Sequence, residues 1–297
     1  MNKKNKIKNI AVIGTGKRSF GVIKKLLDVA QGRIKIGAVC DISDEMLDHA
    51  LNLWKQPDVP RYSNAEEAIN HPDIDWVLIF TPNYCHKDNI IASFAAGKHV
   101  FCEKPLATSI QDCMDIFHAH RKTNLIFSTG FVLRYSPLYR KIKELICSGK
   151  FGKLISINAD ENIPPAHGGY IMCNWRRLCE KSGSHLLEKC CHDLDLINWF
   201  CDSLPQKVAS FAGLDMFTLE NSDIAKRHGL SMFKTWKEFT AEPDPFKSEK
   251  DIMDNQVCII EYRNSVRVVF QATMCNVLPA DSSSCPDRAG QWRYRGR

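Results

Sequence analysis

The chain has 297 residues, 44% hydrophobic and 25% charged, with a formal net charge of +6, a soluble globular mix with room for one large or two ordinary domains. The positive charge is not gathered into a Lys/Arg block with interleaved aromatics, which argues against nucleic acid as the main partner, and no apolar run reaches the ~18 residues of a membrane span. Thirteen cysteines, an odd number with no C-x-x-C pair, point to reduced thiols in a cytoplasm rather than a disulfide framework.

The start, "MNKKNKIKNIAVIG", is basic but lacks the apolar core and small-residue cleavage site of a signal peptide. From residue 7 the chain alternates. "IKNIAVIG" (7–14) is an apolar, β-branched run and predicts a buried strand; "SFGVIKKLLDVA" (19–30) has helical spacing; "RIKIGAVCD" (33–41) is a second strand. "SDEMLDHALNLW" (43–54) opens with a serine cap and acidic first turn, so it predicts a helix. "IDWVLIFTP" (74–82) is a third strand, "NIIASFAAG" (89–97) a helix stopped by Gly97, and "KHVFCEKP" (98–105) a fourth strand. "SIQDCMDIFHAHRKT" (109–123) is a helix and "LIFSTGF" (125–131) closes the series. Strands separated by helices of this length predict βαβ units, hence a doubly wound parallel sheet of Rossmann type over residues 1–130.

The pattern then changes. "FGKLISINADEN" (151–162) alternates like a half-exposed strand. "HLLEKCCHDLDLINWF" (185–200) predicts one amphipathic helix, and "QVCIIEYR" with "VRVVFQAT" predicts a hairpin turning at Asn264-Ser265. Residues 131–279 therefore read as an α+β domain with a mainly antiparallel sheet and a helix on one face. Within it, the polar stretch 214–256 reads as a long surface excursion. Residues 280–297 hold four arginines, no lysine and neither period, so they read as a disordered tail or the product of a shifted reading frame.

Chemistry gathers at strand ends. "GTGKRSFG" (14–21) sits between the first strand and first helix. Gly14 and Gly16 match the first two glycines of a dinucleotide fingerprint, and Ser19 takes the place of the third. The second strand ends in Asp41, placed to accept from a ribose 2′-hydroxyl, which favours NAD; Lys17 and Arg18 keep NADP open. Thr81, Pro82 and Asn83 end the third strand and suit cofactor hydrogen bonding, while His86 reads as a helix-surface or packing residue. "FCEKPLA" (101–107) raises a sharper question, whether Lys104 is a solvated strand-end charge or an ammonium delivered to a reaction centre. On the later helix, Glu188, His192 and Asp195 fall at i, i+4 and i+7, a polar stripe on an otherwise apolar helix that predicts a lined cavity. Cys190, Cys191 and His192 lack partner ligands at metal spacing, so no metal is expected.

These motifs, with a Glu-Lys-Pro strand end, "LRYSPLYRK" (133–141), "NWR" (174–176) and an acidic-x3-His-x2-Asp helix, occur in one order. In that order they resemble the glucose–fructose oxidoreductase / inositol dehydrogenase / MocA (Gfo/Idh/MocA) family over roughly residues 7–279. The resemblance implies that Lys104 and His192 flank the substrate as catalytic groups. It implies a substrate-binding role for Glu188, Asp195 and Arg134, with Glu188 in place of the family's usual Asp and Cys190 in place of a Gly. Thr81, Pro82, Asn83 and Glu103 fall on the cofactor side, and Trp175 and Arg176 resemble a pair that reaches the cofactor in some members.

The implied activity is NAD(P)-dependent hydride transfer with a sugar, polyol or related cyclic alcohol. His192 suits the base and Lys104 the stabiliser of the developing oxyanion. Glu103 would hold Lys104, and Pro105 would fix the turn that aims it. A glycosidase using transient oxidation and a non-catalytic nucleotide-binding regulator stay open. Relatives continue past the hairpin with further strands and a closing helix and assemble through the outer face of the second sheet. The altered tail therefore predicts an incomplete second domain, and a homo-oligomer is doubtful on the same ground.

Overall fold

The first apolar run forms strand β1 (Lys8–Ile13), and its residues are apolar on both faces. Ile10 and Val12 are buried with one cluster of side chains, Ala11 and Ile13 with another, none more than 2% exposed. A strand covered on both faces belongs in the middle of a parallel sheet. β1 is indeed flanked by β2 (Ile34–Cys40) and β4 (Trp76–Ile79) in the order β3-β2-β1-β4-β5-β6, with β3 (Arg61–Tyr62), β5 (His99–Cys102) and β6 (Phe127–Thr129) completing it, all parallel. The computed structural model describes residues 7–228, 233 and 244–276, and the chain divides into two compact units, Met1–Gly130 and Phe131–Arg297.

Helices connect the first unit's strands: α1 (Lys17–Ala30), α2 (Asp44–Trp54), the short α3 (Ala65–Ile69), α4 (His86–Ala95) and α5 (Ile110–His120). Ser43 and Ser109 cap α2 and α5, each hydroxyl accepting from the amide three residues on. One face of the sheet buries Ile10, Val12, Ile36 and Val39 with Leu47, Leu51 and Trp54 of α2, and the other buries Ala11, Ile13, Val77 and Ile79 with Ile90 and Phe94 of α4. Each fully buried aliphatic side chain stabilises by roughly 1.5–3 kcal/mol. β3 and α3 escape sequence reading because two residues and one helical turn carry too little period.

The second unit holds a four-stranded sheet in the order β7-β10-β9-β8: β7 (Ser156–Asn162), β8 (Pro205–Gly213), β9 (Asn255–Tyr262) and β10 (Arg267–Thr273). Two of its three pairings are antiparallel and β7–β10 is parallel, the predicted mainly antiparallel sheet. Its helices are α6 (Pro137–Cys147), α7 (Pro165–Cys173), α8 (Cys179–Ser182), α9 (His185–Glu188), α10 (Cys191–Cys201) and α11 (Ser222–His228). The inner face buries Cys258, Ile260, Tyr262, Val268, Phe270 and Ala272 with Ile197 and Cys201 of α10. On the outer face, register sets Ala209, Ile259 and Val269 in one row and Phe211 beside Val257 in the next. Phe211 is 82% exposed and Ile259 55%.

Two expectations are corrected. Residues 185–200 form two helices, not one: Lys189 and Cys190 separate α9 from α10. The break accompanies opposite pulls on adjacent side chains, Glu188 toward Arg176 and Lys189 toward Glu161. The stretch 214–256 is not simply a surface excursion: Phe217, Phe233, Phe246 and Ile252 are each at most 2% exposed, packed with Ile163, Ile171, Met172 and Met274. Gly168 and Gly169 of α7 leave room for the Met274 and Phe233 backbones, which a Cβ would strike. Residues 229–232 and 234–243 of that stretch, and the tail 280–297 with the expected incompleteness of the second domain, lie outside the described residues.

Candidate functional site

In the first unit, β1 runs into Gly14 with φ +87°, and a Cβ there would stand 2.8 Å from the Phe80 carbonyl carbon and the Thr81 amide nitrogen. Only glycine lets the turn pass this close to the end of β4. Gly16 is the N-cap of α1, with no side-chain cap and no acidic residue in the first turn, and a Cβ built on it meets nothing within 4 Å. Ser19, fully buried, turns its hydroxyl back onto the Gly16 carbonyl at 2.8 Å, so a small side chain serves where a glycine was expected. Asp41, just past β2, accepts from the Thr15 amide at 2.7 Å, the Thr15 hydroxyl at 3.0 Å and the Ser43 amide at 3.1 Å. Its carboxylate therefore shapes the glycine turn. Lys17 and Arg18 are exposed in the first turn of α1.

Arg18 reaches toward β5, donating from Nε to Glu103 Oε1 at 2.7 Å. Glu103 is 6% exposed, and its Oε2 accepts from the Lys104 amide at 3.3 Å. Gly130 makes room for it, since a Cβ there would lie 2.7 Å from Glu103 Oε2. Arg18 and Glu103 are thus one ion pair across the carboxyl edge of the sheet, and Glu103 holds Lys104 by its backbone. The Lys104–Pro105 peptide is cis. Thr81 and Pro82 follow β4, and Asn83, 4% exposed, starts the turn that leads into α4. His86 is no surface residue: it is 1% exposed, with Nδ1 2.8 Å from the Pro105 carbonyl oxygen and Nε2 2.9 Å from that of Thr81.

In the second unit, Arg176 donates from Nε to Glu188 Oε1 at 2.9 Å and from Nη1 to the Tyr170 hydroxyl at 3.0 Å, with its guanidinium 4.3 Å from the Trp175 ring centroid. The longer arm of glutamate is thereby held by an arginine. Arg134 and Asp195, both read as substrate ligands, form a bidentate pair with each other at 2.7 Å on both arms. His192 stands edge-on to Phe131, ring centroids 6.1 Å apart. On α9's C-terminal side, Lys189 pairs with Glu161 at 2.9 Å. Burial pushes the Lys189 ammonium down, and the Glu161 carboxylate more than offsets that. Burial, then the Glu161 charge, push the Asp193 carboxyl up to about 7.

Sequence reading missed Gly130, Tyr170 and the Glu161–Lys189–Asp193 cluster. A glycine directly after β6 was an available signal for the first; the other two lie on unread elements or hidden faces. Among the described residues no group of three or more His, Cys, Asp and Glu suits a metal, and no helix is long and apolar enough to cross a membrane. Twelve cysteines are free thiols among those residues.

The first unit's residues fit a nicotinamide dinucleotide. A helix N-terminus without side-chain cap or first-turn acid suits pyrophosphate, open space at Gly16 admits it, and Asp41 suits a ribose hydroxyl.

Two family models match the chain. One, described as the NAD-binding Rossmann fold of the Gfo/Idh/MocA oxidoreductases, spans residues 8–131; the other, that family's C-terminal alpha/beta domain, spans 143–285. The 2,7-anhydro-N-acetylneuraminate hydratase of Mediterraneibacter gnavus is 29% identical over 203 residues, 68% of this chain and 52% of the relative. The inositol 2-dehydrogenase of Serratia proteamaculans is 29% identical over 195 residues, 65% of this chain and 54% of the relative. The chain spans about half the length of the curated relatives it matches. Among solved structures, the WlbA dehydrogenase of Chromobacterium violaceum, in complex with NADH and UDP-GlcNAcA, superposes with a TM-score of 0.74 at 18% identity, covering 92% of this chain and 69% of that one. At that identity the likeness is one of fold.

Proposed function

The chain belongs to the Gfo/Idh/MocA oxidoreductase family, and from that premise we propose that it transfers hydride between NAD and a sugar, polyol or related cyclic alcohol. The observation that carries this reading is the Arg18–Glu103 ion pair of 2.7 Å. It joins the helix that starts at the glycine turn to the strand end that bears Lys104, so cofactor turn and ammonium belong to one construction.

Gly14, Gly16, Lys17, Arg18, Asp41, Thr81, Pro82, Asn83 and Glu103 are assigned to the cofactor, which when bound accepts or returns hydride. NAD is favoured over NADP because the Asp41 carboxylate would repel a 2′-phosphate and because Arg18 is already engaged by Glu103. Lys104 stabilises the oxyanion that develops as the alcohol is oxidised, and His192 takes the hydroxyl proton. Glu188, charged and oriented by Arg176, accepts from a substrate hydroxyl. Arg134 and Asp195 together position the start of α10, and so His192, rather than acting as lone ligands. Trp175 and Arg176 serve Glu188 first, with a cofactor contact as their further role. Copies of the chain would associate through the Phe211–Ile259–Val269 face of the second sheet, and the reduced thiols suit a cytoplasm.

A second reading draws on the hydratase relative. The same Lys104 and His192 would serve a sugar that gives hydride to the bound nicotinamide and takes it back after elimination, with no net change in the cofactor. The test is calorimetric titration with NAD⁺ and NADP⁺, followed by a screen of inositols, sugars and anhydro-sugars for product and for NADH release. Net NADH supports the dehydrogenase, product without net NADH supports transient oxidation, and a folded chain that binds neither dinucleotide defeats both.

A further inference from the structure

His86 begins α4 at the carboxyl edge of the first sheet, buried to 1% exposure. Its two ring nitrogens face two backbone carbonyls, that of Pro105 at 2.8 Å and that of Thr81 at 2.9 Å. Those carbonyls belong to different strand ends, one in Glu103–Lys104–Pro105 and the other in Thr81–Pro82–Asn83. Both are acceptors only. A neutral imidazole has a single N–H, so it bonds one carbonyl and turns a lone pair on the other; an imidazolium bonds both.

We propose that His86 is a positioning residue that ties the Thr81 and Lys104 segments together, through one hydrogen bond when neutral and two when protonated, so that their arrangement toward the cofactor depends on a proton. This rests on the nicotinamide reading above.

The forces on that proton oppose one another. Burial pushes the His86 ring below its ordinary 6.5, the two carbonyls and the Glu103 carboxylate pull it up, and the Lys104 ammonium pushes it down, with the net direction downward. Its place in the first turn of α4 adds the positive end of a helix dipole, and Arg18 neutralises part of the Glu103 charge. In neutral solution the ring is therefore mainly in its one-bond form, and the second bond closes as the solution is acidified. A cofactor that draws on Thr81 and the Lys104 segment binds better to the closed form, and by linkage its binding takes up a proton.

The experiment is NADH binding by fluorescence from about pH 8 down to about pH 4.5, a window carried below the ordinary imidazole range because burial lowers the His86 ring. The wild-type chain is compared with His86→Gln and His86→Phe, and imidazole ¹⁵N spectra of the wild-type chain are followed over the same range. In the wild type, NADH binding should tighten roughly threefold to tenfold toward the acid end, the worth of one hydrogen bond. The spectra should show the His86 ring passing from one protonated nitrogen to two. His86→Gln keeps a donor and should bind NADH near the neutral-form affinity; His86→Phe should bind more weakly; both should lose the slope.

An unchanged slope in the variants overturns the proposal, as does a ring that never takes up its second proton while the protein stays folded. If the wild type folds but binds no NADH, the nicotinamide reading fails by itself. The clamp is then judged on the spectrum, where two hydrogen-bonded N–H signals support it and a neutral ring overturns it. The same spectrum decides if neither variant folds.

Discussion

The two units build their candidate groups in different ways. In the first, Gly14, Thr81 and Lys104 stand where parallel strands end, and backbone sets their places: Gly14 lies against the Phe80–Thr81 backbone, and Lys104 is held by its own amide. In the second, Glu188, His192 and Asp195 stand on two short helices with a break between them, and side-chain ion pairs to Arg176 and Arg134 set their places. A site made by backbone tolerates little change in the chain's path but much in its surface. One made by ion pairs fails when a single partner is lost, because a half-buried charge is left uncompensated.

That contrast can be broken first at Gly14. Gly14→Ala forces a Cβ against backbone atoms 2.8 Å away at φ +87°, and should cost about 4 kcal/mol or more. We expect loss of dinucleotide binding by calorimetry and early melting of the first unit by hydrogen exchange. Normal binding in this variant would show that the turn is not backbone-determined. Lys104→Met tests the ammonium itself: turnover of the alcohol found in the substrate screen should fall about 10²–10³-fold, with NADH affinity changed little.

Arg176→Met is the counterpart in the second unit. It strips Glu188 of its partner where the two side chains are 24% and 11% exposed, and should destabilise by about 3 kcal/mol, read as a lower denaturant midpoint. The double variant Arg176→Met/Glu188→Gln should recover much of that loss; failure to recover would mean that Arg176 matters through Tyr170 and Trp175 instead.

A smaller effect is expected at Asp193, the next residue after His192. The Asp193 carboxyl, raised by burial from its ordinary 3.8 to about 7, binds a proton in the folded state that the unfolded chain has released. Its contribution is therefore full below pH 3.8 and lost as pH rises through about 7. Asp193→Asn should flatten this slope and, at alkaline pH, exceed the wild type in stability by on the order of 1–2 kcal/mol, less than the full linkage value because Lys189 offsets part of the burial. The smallest effect on the fold is expected from Phe211→Asp on the exposed outer face, under about 0.5 kcal/mol. Its readout is light scattering, where a shift to monomer would support association through that face and an unchanged mass would count against it.

Much of the first unit was legible because its longer strands are apolar runs and its main helices carry their own period, with serine caps on α2 and α5, so local sequence and global fold agree. The same regularity placed Gly14, Gly16, Asp41 and Lys104 at strand ends before any coordinates. The second unit was less legible. The break at Lys189–Cys190 has no glycine or proline to announce it, and β8, a strand with both faces largely exposed, alternates too weakly to read. For His86 the sequence left helix surface and packing both open, because a histidine at a helix start has no period to betray burial; the structure buries it.

By itself, then, the sequence determined the alternation of strands and helices, the glycine turn and the order of the motifs, all properties of neighbours along the chain. Only the tertiary structure decided which charges meet: Arg18 with Glu103, Arg176 with Glu188, Arg134 with Asp195, and His86 with the carbonyls of two strands. Such partners lie up to 85 residues apart. An ion pair or hydrogen bond is specified by distance and direction in space, which no local pattern of residues encodes.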